Sequence, residues 1–214
     1  MLTLQVIDSL EGLQELRHSW AALVNELETT TPFHLPPWLL TWWRHFGNGQ
    51  LRTLALFKEN LLAGFVPCFR HEWEGARQLT LIGSGITDFL EPPVRIGYEN
   101  HLVKCLSDHL QSQTDWDLCN WQDLSSDTPL RHLTDCKALH AELMEDTPCS
   151  AIPFQEGFDQ YWQARSNELK RNVRRYTQRA EVEGTVQFEV HQSPSAMLLD
   201  ALIELHATRW KKRG

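Results

Sequence analysis

Three short β-rich runs follow one another between residues 51 and 83 and constrain the fold more than any other part of the chain. The runs LRTLALF and LLAGFVPCFRHEW flank the polar turn Lys58-Glu59-Asn60, and RQLTLIG follows Gly75. Short β-rich runs separated by turns of two or three residues are typical of neighbouring antiparallel strands. The sequence therefore predicts a hairpin followed by a third strand, in a mostly antiparallel sheet.

Helices and further strands are predicted on both sides of this block. Segment 10–28 has apolar residues at helical spacing behind Ser9, a suitable N-cap. Prolines and Gly47 bracket the aromatic helix WLLTWWRHF. The other elements predicted before residue 150 are a strand at LTLQVID, a helix at 99–112, a strand at DWDLCNW, a short helix at SDTPLRHLTDC and a strand at ALHAELME. The order βααβββαβαβ resembles the element order of a GNAT (acyl-CoA N-acyltransferase) domain. The fold class that this resemblance implies is mixed α/β (α+β), with a mostly antiparallel central sheet flanked by helices.

The charge of the chain changes sign near residue 165. Residues 1–164 have a net charge of -12, whereas residues 165–214 have a net charge of +4. Such a change indicates a new domain or a new partner. We therefore expect a degenerate N-terminal domain at 1–150, a basic linking helix region at 151–184, and the start of a second GNAT-like domain at 185–214. Within these last two regions the sequence predicts one long or two joined helices at 157–183, a strand at TVQFEVHQ and a final helix.

The cysteines and the missing motifs exclude several classes of protein. The five cysteines are odd in number and contain no C-x-x-C pair, which favours reduced thiols in the cytoplasm over a disulfide framework or a zinc site. Apolar runs are too short for a membrane span, and we expect neither a signal peptide nor a metal. The sequence contains no P-loop, G-x-S-x-G or H-E-x-x-H pattern.

A basic helix face is the first candidate binding feature. Its cations lie opposite an apolar stripe and are Lys170, Arg171, Arg174, Arg175 and Arg179. Arginine presents a donor fork that matches phosphate or carboxylate, so one interpretation is an anion-binding surface. The other is a solvated face packed on the acidic front half of the chain. Nucleic acid is disfavoured as a partner because the protein is acidic overall.

The last predicted helix and one loop provide the other candidates. His206, Arg209 and Trp210 share an apolar helix face, where a buried polar group needs a partner or faces a site. The loop GSGITDFLEPP has glycines after a strand, but Asp88 and a following glutamate would repel a pyrophosphate. We interpret this loop as a capped turn, or as a substrate loop in which Asp88 accepts from a hydroxyl or amine.

Several longer motifs resemble one known family. The stretches W-x-x-L-x-x-E, TTPFHLPPWLLTWWRHFG, LAGFVPCF and LTLIGSGITDFLEPPV resemble the N-terminal part of CelD/BcsL-type acetyltransferases linked to cellulose biosynthesis. NELKRNVRRYTQRAEVEG and LHATRWKKRG resemble the start of their BioF-like acetyltransferase domain. The resemblance covers nearly the whole chain. It implies two GNAT-like halves, of which the second carries the loop that binds acyl-CoA.

The resemblance also implies a function and site residues. Asp88 matches the family's G…D(Y/F) position, the arginines 171, 174 and 175 match its basic helix, and His206, Arg209 and Trp210 match its H-x-x-R-W motif. We expect acetyl-CoA or another acyl-CoA as co-substrate, with its site in a part beyond Gly214. The acceptor would be an amine or hydroxyl of a small molecule, sugar or cell-envelope polysaccharide precursor, with His206 and Asp88 as catalytic candidates.

Two other hypotheses remain open from the sequence. The chain could be a non-catalytic binding module that recognises an anionic ligand or a protein partner through its basic helix. Alternatively, it is a pseudo-enzyme half that forms a homodimer through an incomplete sheet edge, where strand groups are unpaired.

Overall fold

The computed structural model describes residues 1–28, 30–146, 148–150, 152, 157–193 and 195–211. The chain divides into two units, Met1–Asp146 and Thr147–Gly214, and each is described below by itself. The predicted division at residues 150 and 184 stays a prediction.

Two small sheets form the centre of the first unit. In the first, β1 (Leu2–Ile7), β3 (Thr53–Lys58) and β4 (Leu61–Val66) pair antiparallel in the order β1-β3-β4. The second has the order β2-β5-β6-β7 and comprises β2 (Gln50–Leu51), β5 (Cys68–Trp73), β6 (Ala76–Leu81) and β7 (Leu118–Asn120). All its pairs are antiparallel except β6 with β7. A mixed α/β fold with mostly antiparallel strands is therefore confirmed, although in two sheets rather than one.

The predicted hairpin runs through both sheets and is interrupted at Pro67. Proline has no N–H to donate to a strand ladder, so it separates β4 from β5. Neighbouring segments of the same chain still form hydrogen bonds on both sides of Pro67. The Ile82 amide donates to the Pro67 carbonyl at 2.8 Å, and the Arg52 amide donates to the Cys68 carbonyl at 2.9 Å. The sequence predicted one strand where the structure has two.

The sheets lie between two layers of helix. One layer contains α1 (Leu10–Glu15), α2 (Arg17–Asn25), a 3-10 turn (Pro32–His34) and α3 (Pro36–Phe46), and the other contains α4 (Glu99–Ser112) and a 3-10 helix (Pro129–Asp135). The single helix predicted at 10–28 is thus two helices that meet at Leu16. Ser9 caps α1 as predicted, by accepting from the Gly12 amide at 3.1 Å.

Alternation along β3 divides the core into two clusters. Ala55 belongs to the cluster under α1–α3, whereas Leu54 and Leu56 belong to the cluster under α4. In the first cluster the Trp20 and Phe65 rings lie 4.6 Å apart. Each fully buried side chain of this size contributes ~1.5–3 kcal/mol through removal from water. Three layers around two cores therefore fix the positions of the loops at the sheet ends.

The strand predicted at ALHAELME is wrong. Residues 138–146 contain no strand in the structure. Leu139 and Ala141 nevertheless pack against the α4 cluster. These two alternating apolar residues therefore contact the core from one side of a segment that has no partner strand.

Within its described residues, the regular elements of the second unit are helices. They are α5 (Gly157–Gln163), α6 (Asn167–Glu183) and α7 (Ala196–Lys211), so the segment 157–183 is two helices rather than one. The strand predicted at TVQFEVHQ is wrong, because residues 185–192 form no strand and Phe188 is 94% exposed. Pro194, predicted within the last helix, and Gly214 of the final motif lie outside the described residues. No helix in the described ranges is long and apolar enough to cross a membrane.

Candidate active site at the carboxyl ends of two parallel strands

Strands β6 and β7 form the parallel pair of the described sheets. Leu79 pairs with Cys119 and Thr80 pairs with Asn120, and α4 lies between the two strands in the chain. The carboxyl ends of parallel strands point to the same sheet edge, and the crevice outside them is where ligands bind in open α/β sheets. The loops after Leu81 and Asn120 are therefore the first place to look for a site.

A polar pocket of about 310 Å³ lies between these two loops. Its lining residues are Gly85, Ile86, Thr87, Asp88, Gln122 and Asp123. The first four follow β6 and the last two follow β7. The pocket thus brings a predicted candidate, Asp88, together with a second carboxyl group that the sequence analysis did not single out.

The first wall of the pocket is a turn that requires glycine. Gly83 has a φ of +110°, and a Cβ at this position would lie 2.6 Å from Leu90 Cδ2. A side chain is therefore excluded by conformation and by space. Further along, the Phe65 amide donates to the Pro93 carbonyl at 2.9 Å, which attaches the end of the loop to β4. The loop after β6 is thus fixed at its start by the packing around Gly83 and at its end by the bond to Pro93, in agreement with the predicted turn.

Glu91 joins the two walls. Its carboxylate accepts from the Ser125 amide at 3.1 Å, the Ser125 hydroxyl at 2.8 Å and the Thr128 hydroxyl at 2.6 Å. Burial raises the pKa of Glu91 above its ordinary value even though these donors favour the ionised form. A fourth hydrogen bond, from the Leu90 amide to the Asp123 carbonyl at 2.9 Å, also links the loops. The pocket walls are therefore fixed to each other.

Asp123 is half-buried and has an unusual backbone conformation. Its φ is +59°, in the left-handed region that only a few per cent of residues other than glycine adopt, aspartate among the more frequent of them. Burial raises the pKa of its carboxyl group, and the neighbouring charges of Asp146 and Asp88 raise it further. A carboxylate with a raised pKa is a stronger base, so Asp123 is suited to take a proton from a bound ligand.

An apolar cleft of about 370 Å³ adjoins the polar pocket. It lies along α3 and is lined by Pro32, Leu35, Pro37, Trp38, Thr41, Trp42, Phe46 and Ile86. Ile86 lines both spaces, and Trp38 Nε1 donates to Thr87 Oγ1 at 3.1 Å, which connects the walls of the two. Pro36 and Pro37 at the start of α3 have no amide hydrogen that would be left unpaired, so the helix can begin directly beside this cleft.

Ion pairs close the opposite, amino ends of β6 and β7. Asp117 accepts from Arg77 through the backbone amide at 2.8 Å and the guanidinium at 2.7 Å. The Arg77 side chain holds the pKa of Asp117 well below its usual range. Nearby, Asp115 Oδ2 lies 3.1 Å from Arg52 Nε and 3.4 Å from Arg70 Nη1. The two ends of one strand pair therefore differ in charge and in contacts.

The predicted site residues of the second unit lie on exposed helix surfaces. On α6, Arg171, Arg174 and Arg175 are exposed, and Arg175 donates to the Tyr176 hydroxyl at 3.2 Å. On α7, His206 Nε2 accepts from Trp210 Nε1 at 2.8 Å. The structure thus brings His206 and Trp210 together.

Burial on the α7 face differs from the expectation. The sequence analysis assumed a buried apolar stripe around His206 and Arg209. Arg209 is exposed, and so are the apolar residues of this face, including Leu199 at 57% and Ile203 at 58%. Neither His206 nor Arg209 is buried within this unit, so neither side chain needs a hydrogen-bond partner to offset the loss of water.

Sequence reasoning missed Asp123 and Trp38 as site residues. A signal for Asp123 was present, since it belongs to the polar segment that follows a predicted strand. Recognising it requires knowing that this strand lies parallel beside β6, which the sequence alone does not say. No group of three or more His, Cys, Asp or Glu residues in the described ranges could hold a metal ion.

Comparison with known proteins gives structural likeness at low identity. No protein-family model matches the chain, and no curated protein matches its sequence. Among solved structures, an aminoglycoside acetyltransferase from an uncultured soil metagenomic sample, in complex with sisomicin, is 11% identical over 71% of this chain and 97% of its own, with a TM-score of 0.44. A ribosomal-protein-alanine N-acetyltransferase from Brucella melitensis biovar Abortus 2308 is 15% identical over 70% and 99%, with a TM-score of 0.43. A possible acetyltransferase from Clostridium difficile 630 is 8% identical over 72% and 99%, with a TM-score of 0.39. The proposals below rest on this chain's own topology and contacts.

Proposed function

We propose that this chain is an acyl-CoA-dependent acyltransferase of the GNAT type that transfers an acyl group to an amine or a hydroxyl. The observation that carries the proposal is the polar pocket at the carboxyl ends of β6 and β7. It lies in a unit in which a strand, helices, antiparallel strands, a helix and a parallel strand follow one another. This is close to the GNAT order expected from the sequence, although three helices rather than two precede the antiparallel strands and the last expected strand is not formed. The pocket is where the acceptor would react.

The two carboxyl groups of the pocket supply the chemistry that an acceptor needs. Acyl transfer forms a bond from the acceptor nitrogen or oxygen to the thioester carbon, breaks the carbon–sulfur bond and moves the acceptor's proton away. Asp123 is proposed to receive this proton, because its raised pKa favours proton uptake. Asp88, which is exposed in the same pocket, is proposed to orient the acceptor.

The phosphates of acyl-CoA require a different surface. Asp88 and Asp123 would repel them, so the pocket does not fit the nucleotide end of the co-substrate. The exposed arginines 171, 174 and 175 of α6 have the charge and the donor geometry that phosphate needs, and we propose them as an anion-binding surface of the second unit. The acyl-CoA site expected beyond Gly214 stays a prediction. His206, Arg209 and Trp210 stay predicted site residues, and the second GNAT-like domain, the cytoplasmic location and the homodimer stay predictions.

Calorimetric titration of acetyl-CoA into the 214-residue chain, at low and at moderate salt, tests the co-substrate assignment. We expect binding that weakens with salt, because exposed charge pairs are screened. Changing both Arg171 and Arg174 to Gln should weaken binding and reduce its salt dependence, whereas Arg17→Gln, an exposed arginine on α2, should leave binding unchanged. Unchanged affinity and unchanged salt dependence in the variant with both Arg171 and Arg174 changed to Gln would overturn the role proposed for α6.

Release of free CoA thiol, followed with a thiol reagent, tests the reaction itself. We expect release only when acetyl-CoA and an amine acceptor are both present, and a loss with Asp123→Asn. The exposed cationic face of α6 also favours a second function, that of a binding module for anionic ligands without turnover. Salt-dependent binding of acetyl-CoA, with no release of CoA thiol in the presence of any acceptor, would support that second function and count against the first.

A further inference from the structure

We propose that the apolar cleft and the polar pocket together form one binding site for a small organic ammonium ion with a flat apolar body, such as an arylalkylamine. The role of this ligand as the acceptor rests on the acyl transfer proposed above, whereas its binding does not depend on that reaction. The class of ligand can be inferred because the apolar cleft and the polar pocket are contiguous and differ sharply in chemistry.

The apolar cleft has the size and walls for a ring system. Its volume of about 370 Å³ lies within the ~300–1,000 Å³ range of small-molecule sites. Trp38 and Trp42 form part of the wall, and the Phe46 ring lies 5.9 Å from that of Trp42. None of the lining residues of this cleft is charged. A sugar would lose hydrogen bonds to water here without regaining them, which is costly.

The polar pocket supplies charge of one sign. Two of its six lining residues are carboxylic acids and none is basic. Asp88 is exposed at this pocket and Asp123 is half-buried. A cation placed between them would gain two charge-assisted hydrogen bonds, whereas an anion would be repelled. The charged end of the ligand is therefore positive.

Contact between the two spaces sets how the ligand lies. Ile86 belongs to both walls, and the bond between Trp38 and Thr87 holds the α3 side of the cleft to the loop of the pocket. A ligand whose ammonium group lies by Asp88 thus extends its body past Ile86 toward Phe46. A short alkyl link between the ring and the nitrogen matches this arrangement.

Three probes separate the charge from the apolar body, and their binding is measured by calorimetry without any acyl-CoA. Tryptamine has both features, glucosamine has an ammonium on a polar ring, and indole-3-propionate has the apolar ring with a negative charge. We expect tryptamine to bind about tenfold or more tightly than either of the others, equivalent to ~1.4 kcal/mol. Equal or weaker binding of tryptamine, or no binding of it, overturns the proposal.

Matched variants locate the binding. Phe46→Ala and Asp88→Asn should each weaken tryptamine about tenfold. Trp73→Ala and Asp8→Asn change exposed residues outside the two linings and should have no effect. Phe46 is 56% exposed, so its removal leaves the core intact, and circular dichroism of each variant checks this. Weakening by the control variants to the same degree as by the site variants would also overturn the proposal.

The reaction and the ligand class fail in different ways. If tryptamine binds as described but no acyl group reaches it from acetyl-CoA, the proposed reaction is overturned and the binding site stands. If glucosamine is acylated and tryptamine is not, the ligand class is overturned and the reaction stands.

Discussion

Helices α4 and α7 have similar apolar patterns and very different surroundings. In α4, Leu102, Leu106 and Leu110 recur every fourth residue and are at most 3% exposed. In α7, Leu199, Leu202 and Ile203 also share one face, but they are 57–62% exposed. Periodicity therefore identifies which side of a helix can be buried, whereas burial depends on a surface against which that side packs.

The difference extends to the whole units. The first unit has two core clusters, while α5, α6 and α7 contain no buried residue. Helices of this length gain most of their stability from tertiary packing rather than from propensity. The first unit is thus expected to unfold cooperatively, and the helices of the second to open more readily. Four measurements would break or sharpen this contrast.

Leucine deletions should show the largest effect. Leu106→Ala removes a fully buried side chain from the α4 cluster and should lower the free energy of unfolding by ~3 kcal/mol. Leu202→Ala removes an exposed side chain and should change it by less than ~0.5 kcal/mol. Urea denaturation of both variants measures the difference. Comparable losses would show that α7 is packed as tightly as α4.

Glu91→Gln should have the next largest effect, because an amide cannot accept all three bonds that the carboxylate accepts. At mildly acidic pH the loss should be ~1–2 kcal/mol. Burial raises the pKa of Glu91, so the stabilisation is complete below the ordinary glutamate pKa and is lost as pH rises through the raised value. The advantage of the wild-type protein over the variant should therefore shrink with rising pH. Glu145→Gln, at an exposed position, is the control, and a growing advantage would contradict the assignment.

The two serine caps allow a direct comparison of the units at equal chemistry. Ser9 caps α1 and Ser166 caps α6, with bonds of 3.1 and 3.2 Å. Ser9→Ala should lower the free energy of unfolding of the first unit by ~1 kcal/mol. Ser166→Ala should increase amide hydrogen exchange within α6 and leave exchange in α4 unchanged. A shift of the α4 amides by Ser166→Ala would mean that the two units unfold together.

Trp210→Phe should have the smallest effect on stability. It removes the donor to His206 Nε2, and both residues are exposed. We expect no change in the urea midpoint but a changed NMR shift of the His206 ring. An unchanged ring signal would show that the bond is not formed in solution.

The sequence predicted the parts of the fold that depend on local chemistry. The turn at Glu59-Asn60 and the helix between Pro36 and Gly47 appear where proline, glycine and polar residues placed them. The strand at 185–192 failed because alternation describes a strand only where another strand is available to pair with it. Val190, for example, is 87% exposed.

The candidate site was only half predictable for a related reason. Asp88 stood out because it lies in a glycine-bounded loop. Asp123 and Trp38 come from distant segments, and they meet that loop only through the pairing of β6 with β7 and the position of α3. Pairing and layer packing are long-range outcomes that no local pattern encodes.

The strand pair β6–β7 separates a structural ion pair from a candidate binding pocket along one short axis. Arg77 and Asp117 bond at its amino end, while Asp88 and Asp123 lie in the loops at its carboxyl end. Loop residues at one end can change without altering the ion pair at the other, because the strands between them keep their register. Relatives of this chain could therefore diverge in the ligand they accept while they keep the same scaffold, with substitutions concentrated after Leu81 and Asn120.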